Sequence, residues 1–352
     1  MEGQTGRSDS AGPGRLLIVK TSSIGDVIHA LPIAAIIKQR FPAASVGWVV
    51  RQRCAALLDG NPSIDRTYVI PDRPSFTDLM NLRNNLRGDR YDVALDLQGL
   101  LLSGVVTWLS GAHRRIGLDL NREGNRIFLT EPTVPARRER DRHAIDILRG
   151  FLPTIGIDAD APWPKLAYLA DAERPPEELA AAERRAGLVA LNVGASSIYK
   201  QWPVEYWTQL ARELADSDFT PVLIGGPTDV DAAASVRANA GLGERLIDLA
   251  GRTSLLGLAS VLASCDILVS ADTGPLHIAS GIGTPVIALF GPTNPARTGP
   301  YGDRTVVLWK RLECSPCFRK PTCNGRVDCM KAIAAGEVLL AVKRILKEFA
   351  PC

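Results

Sequence analysis

The chain has 352 residues, 46% of them hydrophobic and 22% charged, with a formal net charge of +3. This is the composition of a globular protein long enough for two domains, each able to bury its own core, and the charge is too small to imply nucleic acid. No apolar run approaches the roughly eighteen residues of a membrane span, since even the stretch 100–109 is broken by Ser103 and Gly104.

Residues 1–15 are polar and Gly/Ser-rich with no apolar signal core, so they read as a disordered leader and a cytoplasmic protein is expected. From there apolar runs alternate with helical spacing. Strands are expected at 16–19, 45–50, 69–70, 93–97 and 115–117, with helices at 27–40, 76–86 and 100–110. Pro162, Pro164 and a Pro/Glu/Ala-rich stretch at 171–185 interrupt the series. Strands then resume at 188–193, 222–224, 246–249, 267–269 and 286–290. The simplest account is two α/β domains, 15–170 and 187–335, joined by a linker at 171–186. A C-terminal helix within 336–352 is expected to pack back on the N-terminal domain. Ligands of such parallel sheets bind at the carboxyl ends of the strands, which puts them facing the cleft between the halves.

The loop after the first strand, Lys20-Thr-Ser-Ser-Ile-Gly-Asp26, has neither the G-x-G-x-x-G pattern of a dinucleotide site nor the spacing of a phosphate loop. It offers one carboxylate, Asp26, at a helix start beside Gly25, which lets a substrate approach. The bland reading of Asp26 is an N-cap. His29, one turn on, reads as a satisfied helix histidine, and Lys20 as a phosphate contact or a solvated strand end.

In the second half, the loop Asn192-Val-Gly-Ala-Ser-Ser-Ile-Tyr-Lys200 supplies the hydroxyls of Ser196 and Ser197 and the cation of Lys200. Such groups suit a diphosphate leaving group whose charge grows as its bond breaks. The alternative is a polar surface loop with Trp202 packed under it. The Gly-rich strand end at 224–230 is compatible with a ribose or phosphate. After the strand at 267–269 comes Ser270-Ala-Asp-Thr-Gly-Pro-Leu-His277. Asp272 and Thr273 are good N-cap residues, Gly274 admits a ligand, and Pro275 suits a first helical turn. Free N–H groups and the helix dipole make this turn an anion site, most often for phosphate, with His277 one turn further on.

Two other features stand apart. Arginine is dense between His113 and Arg142, at Arg114, Arg115, Arg122, Arg126, Arg137, Arg138 and Arg140, but Asp119, Glu123, Glu139 and Asp141 are interleaved. An anion-binding face and a solvated charged surface are equally open there. Cys314, Cys317, Cys323 and Cys329 fall within sixteen residues and leave a structural zinc, reduced thiols and disulfides all open, whereas Cys54, Cys265 and Cys352 read as ordinary thiols.

Taken together, the motifs resemble the family 9 glycosyltransferases, the lipopolysaccharide heptosyltransferases of Gram-negative bacteria. The resemblance runs from about Leu16 to the C-terminus. It rests on the Asp26 loop, Asp96-Leu-Gln-Gly-Leu100, Lys200-Gln-Trp-Pro203, Asp272-Thr-Gly-Pro-Leu-His277 and Phe290-Gly-Pro-Thr293. The first motif is closer to heptosyltransferase I members than to heptosyltransferase II members.

The resemblance implies a GT-B architecture, two Rossmann-like domains facing a central cleft, that closes over its substrates. It implies inverting, metal-independent transfer from ADP-L-glycero-β-D-manno-heptose to the Kdo/inner-core region of lipopolysaccharide, with no required cofactor and no nucleic-acid partner. By matched position Asp26 becomes the general base, and Lys200, Ser196, Ser197, Asp272, Thr273, Gly274 and His277 the donor side. Asp229 takes the place where an acidic ribose contact is expected, although Gly226-Pro-Thr-Asp229 departs from the usual pattern. Ser22, Ser23, Gly25, Arg114, Arg115 and Arg122 would face a Kdo-lipid A acceptor, with the enzyme peripheral at the anionic inner face of the inner membrane. The competing readings are another family 9 acceptor, including a heptosyltransferase II-like one, a GT-B-like sugar-nucleotide 2-epimerase, and a non-catalytic binding module.

Overall fold

The structure is a computed structural model and describes residues 12–119, 123–136, 141–182, 186–317 and 323–348. The chain forms two compact units that divide between Pro164 and Lys165. The first holds a five-stranded sheet of β1 (Arg15–Val19), β2 (Ser45–Arg51), β3 (Arg66–Ile70), β4 (Val93–Asp96) and β5 (Arg114–Gly117) in the order β3-β2-β1-β4-β5. The second holds six strands, β6 (Gly187–Asn192), β7 (Phe219–Ile224), β8 (Ile247–Asp248), β9 (Ile267–Ala271), β10 (Val286–Phe290) and β11 (Thr305–Trp309), in the order β11-β10-β9-β6-β7-β8. Every pairing is parallel.

The longer helices are α1 (Ile24–Arg40), α2 (Phe76–Asp89), α3 (Leu101–Leu109), α4 (Val204–Ala215), α5 (Val230–Ala240), α6 (Leu255–Ser264), α7 (Gly274–Ile282) and α8 (Ala335–Glu348). The central strands are apolar throughout because helices cover both faces of a parallel sheet. Leu16, Leu17, Ile18 and Val19 of β1 are fully buried, as are Leu188 to Leu191 of β6. The edge strand β11 is only partly buried, and it is absent from the expected series although Val306 to Trp309 is an apolar run.

The C-terminal helix differs from expectation. Val338, Val342 and Ile345 recur at i, i+4 and i+7, so α8 has one apolar stripe, and that stripe joins the core of the second unit with Trp207, Leu210 and Leu289. Its buried face is therefore committed to the core of the second unit. Leu166 belongs there too, its N–H bonding Gly281 O at 2.9 Å, so the segment from Lys165 onward counts with the second unit.

In each sheet the strand order reverses direction at one point, between β1 and β4 in the first unit and between β6 and β9 in the second. Loops leaving the carboxyl ends of such a pair diverge and open a crevice. The loops after β1, β4, β6 and β9 are those that carry the polar motifs.

Candidate functional site

In the first unit α1 follows β1 after a four-residue loop, with Ser23 as its N-cap residue and Asp26 at the third helical position. Asp26 Oδ2 accepts hydrogen bonds from Ser23 N at 3.0 Å and Ser23 Oγ at 2.8 Å, the reciprocal half of a capping box. Oδ1 lies 3.6 Å from Lys20 Nζ, and the Asp26 side chain keeps 48% of its exposure. Desolvation works to raise its pKa, but the Lys20 ammonium and the two Ser23 donors outweigh it and hold the carboxyl at about 2. The helix-start role and an open, ionised carboxylate thus coexist.

Lys20 is not a solvated strand end. It is buried, its Nζ donates to Leu97 O at 3.0 Å, and its carbonyl accepts from Trp48 Nε1 at 3.1 Å. A buried ammonium needs such partners, and it gets them from the end of β4 as well as from Asp26. His29 is buried on α1 with its ring 5.6 Å from that of His143.

The loop is braced from β4 by a residue to which the sequence reading gave no role. Gln98 Oε1 accepts from both Thr21 N and Ser22 N, each at 3.2 Å. Gln98 is itself held by Asp96, whose Oδ1 accepts from Gln98 N at 3.1 Å and Gly99 N at 2.9 Å. Asp96 is fully buried, which pushes its pKa up against the pull of those donors and of Ser103. The Asp-x-Gln-Gly spacing was the only trace of this in the sequence. Arg51, at the end of β2, was also passed over. Its N–H donates to Thr21 O at 3.1 Å, and its buried Nε has no hydrogen-bond partner among the described residues.

Arg114 and Arg115, expected on the acceptor side, both have partners within the protein. Arg114 forms an ion pair with Glu131 and donates to Thr154 O at 2.7 Å. Arg115 donates to Phe128 O at 2.7 Å and Ala112 O at 2.8 Å. Both lie on edge strand β5, where guanidinium groups tie the following segment to the sheet in place of a further strand. Arg122, Arg137, Arg138 and Arg140 lie outside the described residues.

In the second unit, Thr273 is the N-cap residue of α7, but its hydroxyl does not cap the helix. It turns inward to Asn192, whose Nδ2 lies 2.9 Å from Thr273 Oγ1, 2.9 Å from Ser270 Oγ and 3.2 Å from Gly194 O. Asn192, buried at the end of β6, thereby ties the β6 and β9 loops together. The first-turn N–H groups of α7, which begins Gly274-Pro275, receive no side-chain cap, the condition under which a helix N-terminus takes an anion.

Asp272 is the anchor of this turn. Lys200 Nζ donates to Asp272 Oδ2 at 2.9 Å and to the Asp272 carbonyl at 2.7 Å, and His277 Nε2 lies 3.5 Å from Oδ1. Thr298 Oγ1 adds a contact at 3.4 Å. Burial opposes the ionised form, yet the hydrogen bond from His277 and the charge of Lys200 hold the Asp272 carboxyl well below the usual carboxylate range. Lys200 is accordingly a fixed cation rather than a loose one, and His277 is aimed at Asp272.

Ser196 is exposed, while Ser197 Oγ accepts from Tyr199 N at 3.4 Å. Asp229 caps the turn after β7 by accepting from Gly226 N at 2.8 Å. Its carboxylate lies so close to the β6 loop that a Cβ on Gly194 would stand 2.0 Å from it, so a larger residue there would displace the Asp229 side chain. Among the described residues no group of three or more His, Cys, Asp or Glu side chains is arranged as a metal centre.

The family model for glycosyltransferase family 9 (heptosyltransferase) matches residues 79–327. Lipopolysaccharide heptosyltransferase 1 of Pseudomonas aeruginosa is 32% identical over 325 residues, which cover 88% of this chain and 87% of that one. The solved structure of E. coli heptosyltransferase WaaC with ADP is 26% identical and superposes with a TM-score of 0.75 over 94% of this chain and 99% of that one. A family 9 glycosyl transferase from Veillonella parvula gives a TM-score of 0.78 at 22% identity over 95% and 98% of the two chains, a likeness of fold. The architecture of two parallel-sheet α/β domains is that of the GT-B heptosyltransferases.

Proposed function

The chain belongs to glycosyltransferase family 9 and is a lipopolysaccharide core heptosyltransferase, and from that premise we propose that it transfers heptose from ADP-L-glycero-β-D-manno-heptose to Kdo, with inversion and without a metal. The observation that carries this reading is the head of α7. There a lysine fixed by Asp272 stands beside a helix N-terminus that has no side-chain cap. An ammonium has three donors, and Asp272 accounts for two of them in Lys200. The third, with the α7 N–H groups, is available to the two phosphates of the donor. These groups stabilise most strongly the charge that appears as the sugar–phosphate bond breaks.

In the proposed reaction the acceptor hydroxyl oxygen attacks the anomeric carbon, and the bond from that carbon to the phosphate oxygen breaks with its electron pair leaving on ADP. The hydroxyl proton passes to the exposed Asp26 carboxylate. A base held at about 2 is adequate because the hydroxyl becomes strongly acidic as its new C–O bond forms. Ser196 and Ser197 serve the diphosphate or sugar, and Asp229 the ribose. On the acceptor side Ser22, Ser23 and Gly25 border Asp26, and Arg51 offers a cation to the Kdo carboxylate. No described helix is long and apolar enough to cross a membrane, which suits a peripheral enzyme at the anionic cytoplasmic face.

The experiment is a transfer assay with ADP-heptose and Kdo-lipid A in excess EDTA. Full activity is expected, because Lys200 and α7 replace a divalent cation. A requirement for magnesium or manganese, restored on re-addition, refutes the metal-free site. Preference for an already heptosylated acceptor refutes the Kdo assignment.

Gln98 gives a second test. Gln98→Ala removes the acceptor for two loop N–H groups, and about 1 to 1.5 kcal/mol of positioning corresponds to roughly a tenfold fall in kcat. Donor KM should stay unchanged, since the residue supports the Asp26 loop alone. A shift in donor KM with kcat intact would refute that role.

A further inference from the structure

Four of the seven cysteines meet at one place outside the loops described above. Cys314, Cys317, Cys323 and Cys329 line a single small cavity together with Tyr199, Pro292 and Val327. Its volume of about 10 Å³ admits one water- or ion-sized sphere. Among the described residues no carboxylate or imidazole lines it, so the metal-type ligands on offer there are sulfur. All four are free cysteines, three half-buried and Cys329 buried.

One further observation bears on the cluster. Between β11, which ends at Trp309, and the short helix Asp328–Lys331, no helix or strand is found among the described residues. The described parts of this stretch, 310–317 and 323–327, have no strand ladder of their own. The short helix packs tightly against the end of β10. A Cβ on Gly291, just past β10, would stand 2.7 Å from Cys329 Sγ.

We propose that Cys314, Cys317, Cys323 and Cys329 form a tetrahedral thiolate site for one thiophilic cation, zinc or iron, that pins this segment against Tyr199 and Pro292. On binding, the four thiols become thiolates and release their protons to solvent. Four sulfur ligands select zinc or iron over magnesium or calcium, which take oxygen. No three of the ligands already stand as a metal centre, so the ion draws the sulfurs inward across the small cavity. Tyr199 immediately precedes Lys200, so the ion also steadies the loop that carries that cation. This link rests on the donor reading above, whereas the site itself does not.

The test uses the full chain, purified without a metal-affinity tag or chelator and analysed for metal by mass spectrometry. About one zinc or iron per chain is expected, falling about tenfold or more in Cys314→Ser/Cys317→Ser. Thiolate-to-iron absorption in the visible region separates iron from zinc. A second measurement does not depend on how the variant folds: wild-type protein, stripped of metal under reducing conditions, is titrated with cobalt(II). Four thiolates give intense sulfur-to-cobalt charge-transfer absorption that saturates at about one equivalent and is displaced by zinc. Metal-poor protein that develops no such absorption overturns the proposal, as does a disulfide among the four in protein purified without oxygen. Activity in EDTA tests the donor site separately, because a buried thiolate site exchanges its ion slowly.

Discussion

Asp26→Asn is expected to lower kcat about a hundredfold or more, with donor KM little changed. The amide keeps the size of the carboxylate and can still accept from Ser23 N–H, so α1 keeps most of its cap. It cannot take a proton at neutral pH. The substitution also removes the charge facing Lys20, whose ammonium retains Leu97 O. Modest destabilisation is therefore expected, and its pH dependence separates the two roles. The folded carboxyl titrates at about 2 against an ordinary 3.8. Its contribution to stability is fully present above the ordinary value and is lost as pH falls through about 2. Wild type and Asp26→Asn should thus converge in stability at the acid end while their difference in turnover persists at neutral pH. Near-wild-type kcat in a folded Asp26→Asn protein excludes the base. A variant that melts, and regains normal kcat when stabilised, shows that the cap was the whole role.

Lys200→Ala should lower kcat by roughly 10²–10³, the loss seen when one fixed donor to a developing charge is removed. Donor affinity should weaken as well, but less, because the α7 N–H groups remain. The variant leaves Asp272 buried beside His277 without its strongest cation. Removing one member of a buried pair is costly, so a fall in Tm is expected too. The companion change Lys200→Ala/Asp272→Asn removes that stray charge. It should recover stability while kcat stays low. Kinetics with each substrate varied in turn, read beside thermal unfolding of both variants, checks this. Recovery of kcat together with Tm in the double variant would show that Lys200 is purely structural.

Arg114 and Arg115 and the strand-to-helix turn at Asp272 differ in how much of their local structure could be read in the sequence, and the reason is physical. Arg114 and Arg115 look the same in sequence whether a guanidinium meets a ligand carboxylate or a backbone carbonyl, since both are oxygen acceptors. On edge strand β5 the two arginines meet the carbonyls of Ala112, Phe128 and Thr154. The turn at Asp272 was legible because Asp-Thr-Gly-Pro between two apolar runs has few other uses than a strand-to-helix turn, which the structure has there.

By itself the sequence determined that there are two α/β halves, and where their central strands lie. Strands buried on both faces must be apolar at every position, so 16–19, 188–191 and 286–290 announce themselves without partners. It also determined which strand-end loops carry the polar groups, because those residues have no place inside such a sheet. Tertiary structure alone decided how the groups meet. Lys200 and Asp272 are 72 residues apart in the chain, and Gln98 and Thr21 are 77 apart. The four thiols face one cavity only once β10 and the segment after β11 are side by side. Strand order and register set these encounters, and a local pattern of apolar and polar residues carries neither, since a strand reads the same whichever neighbour it joins.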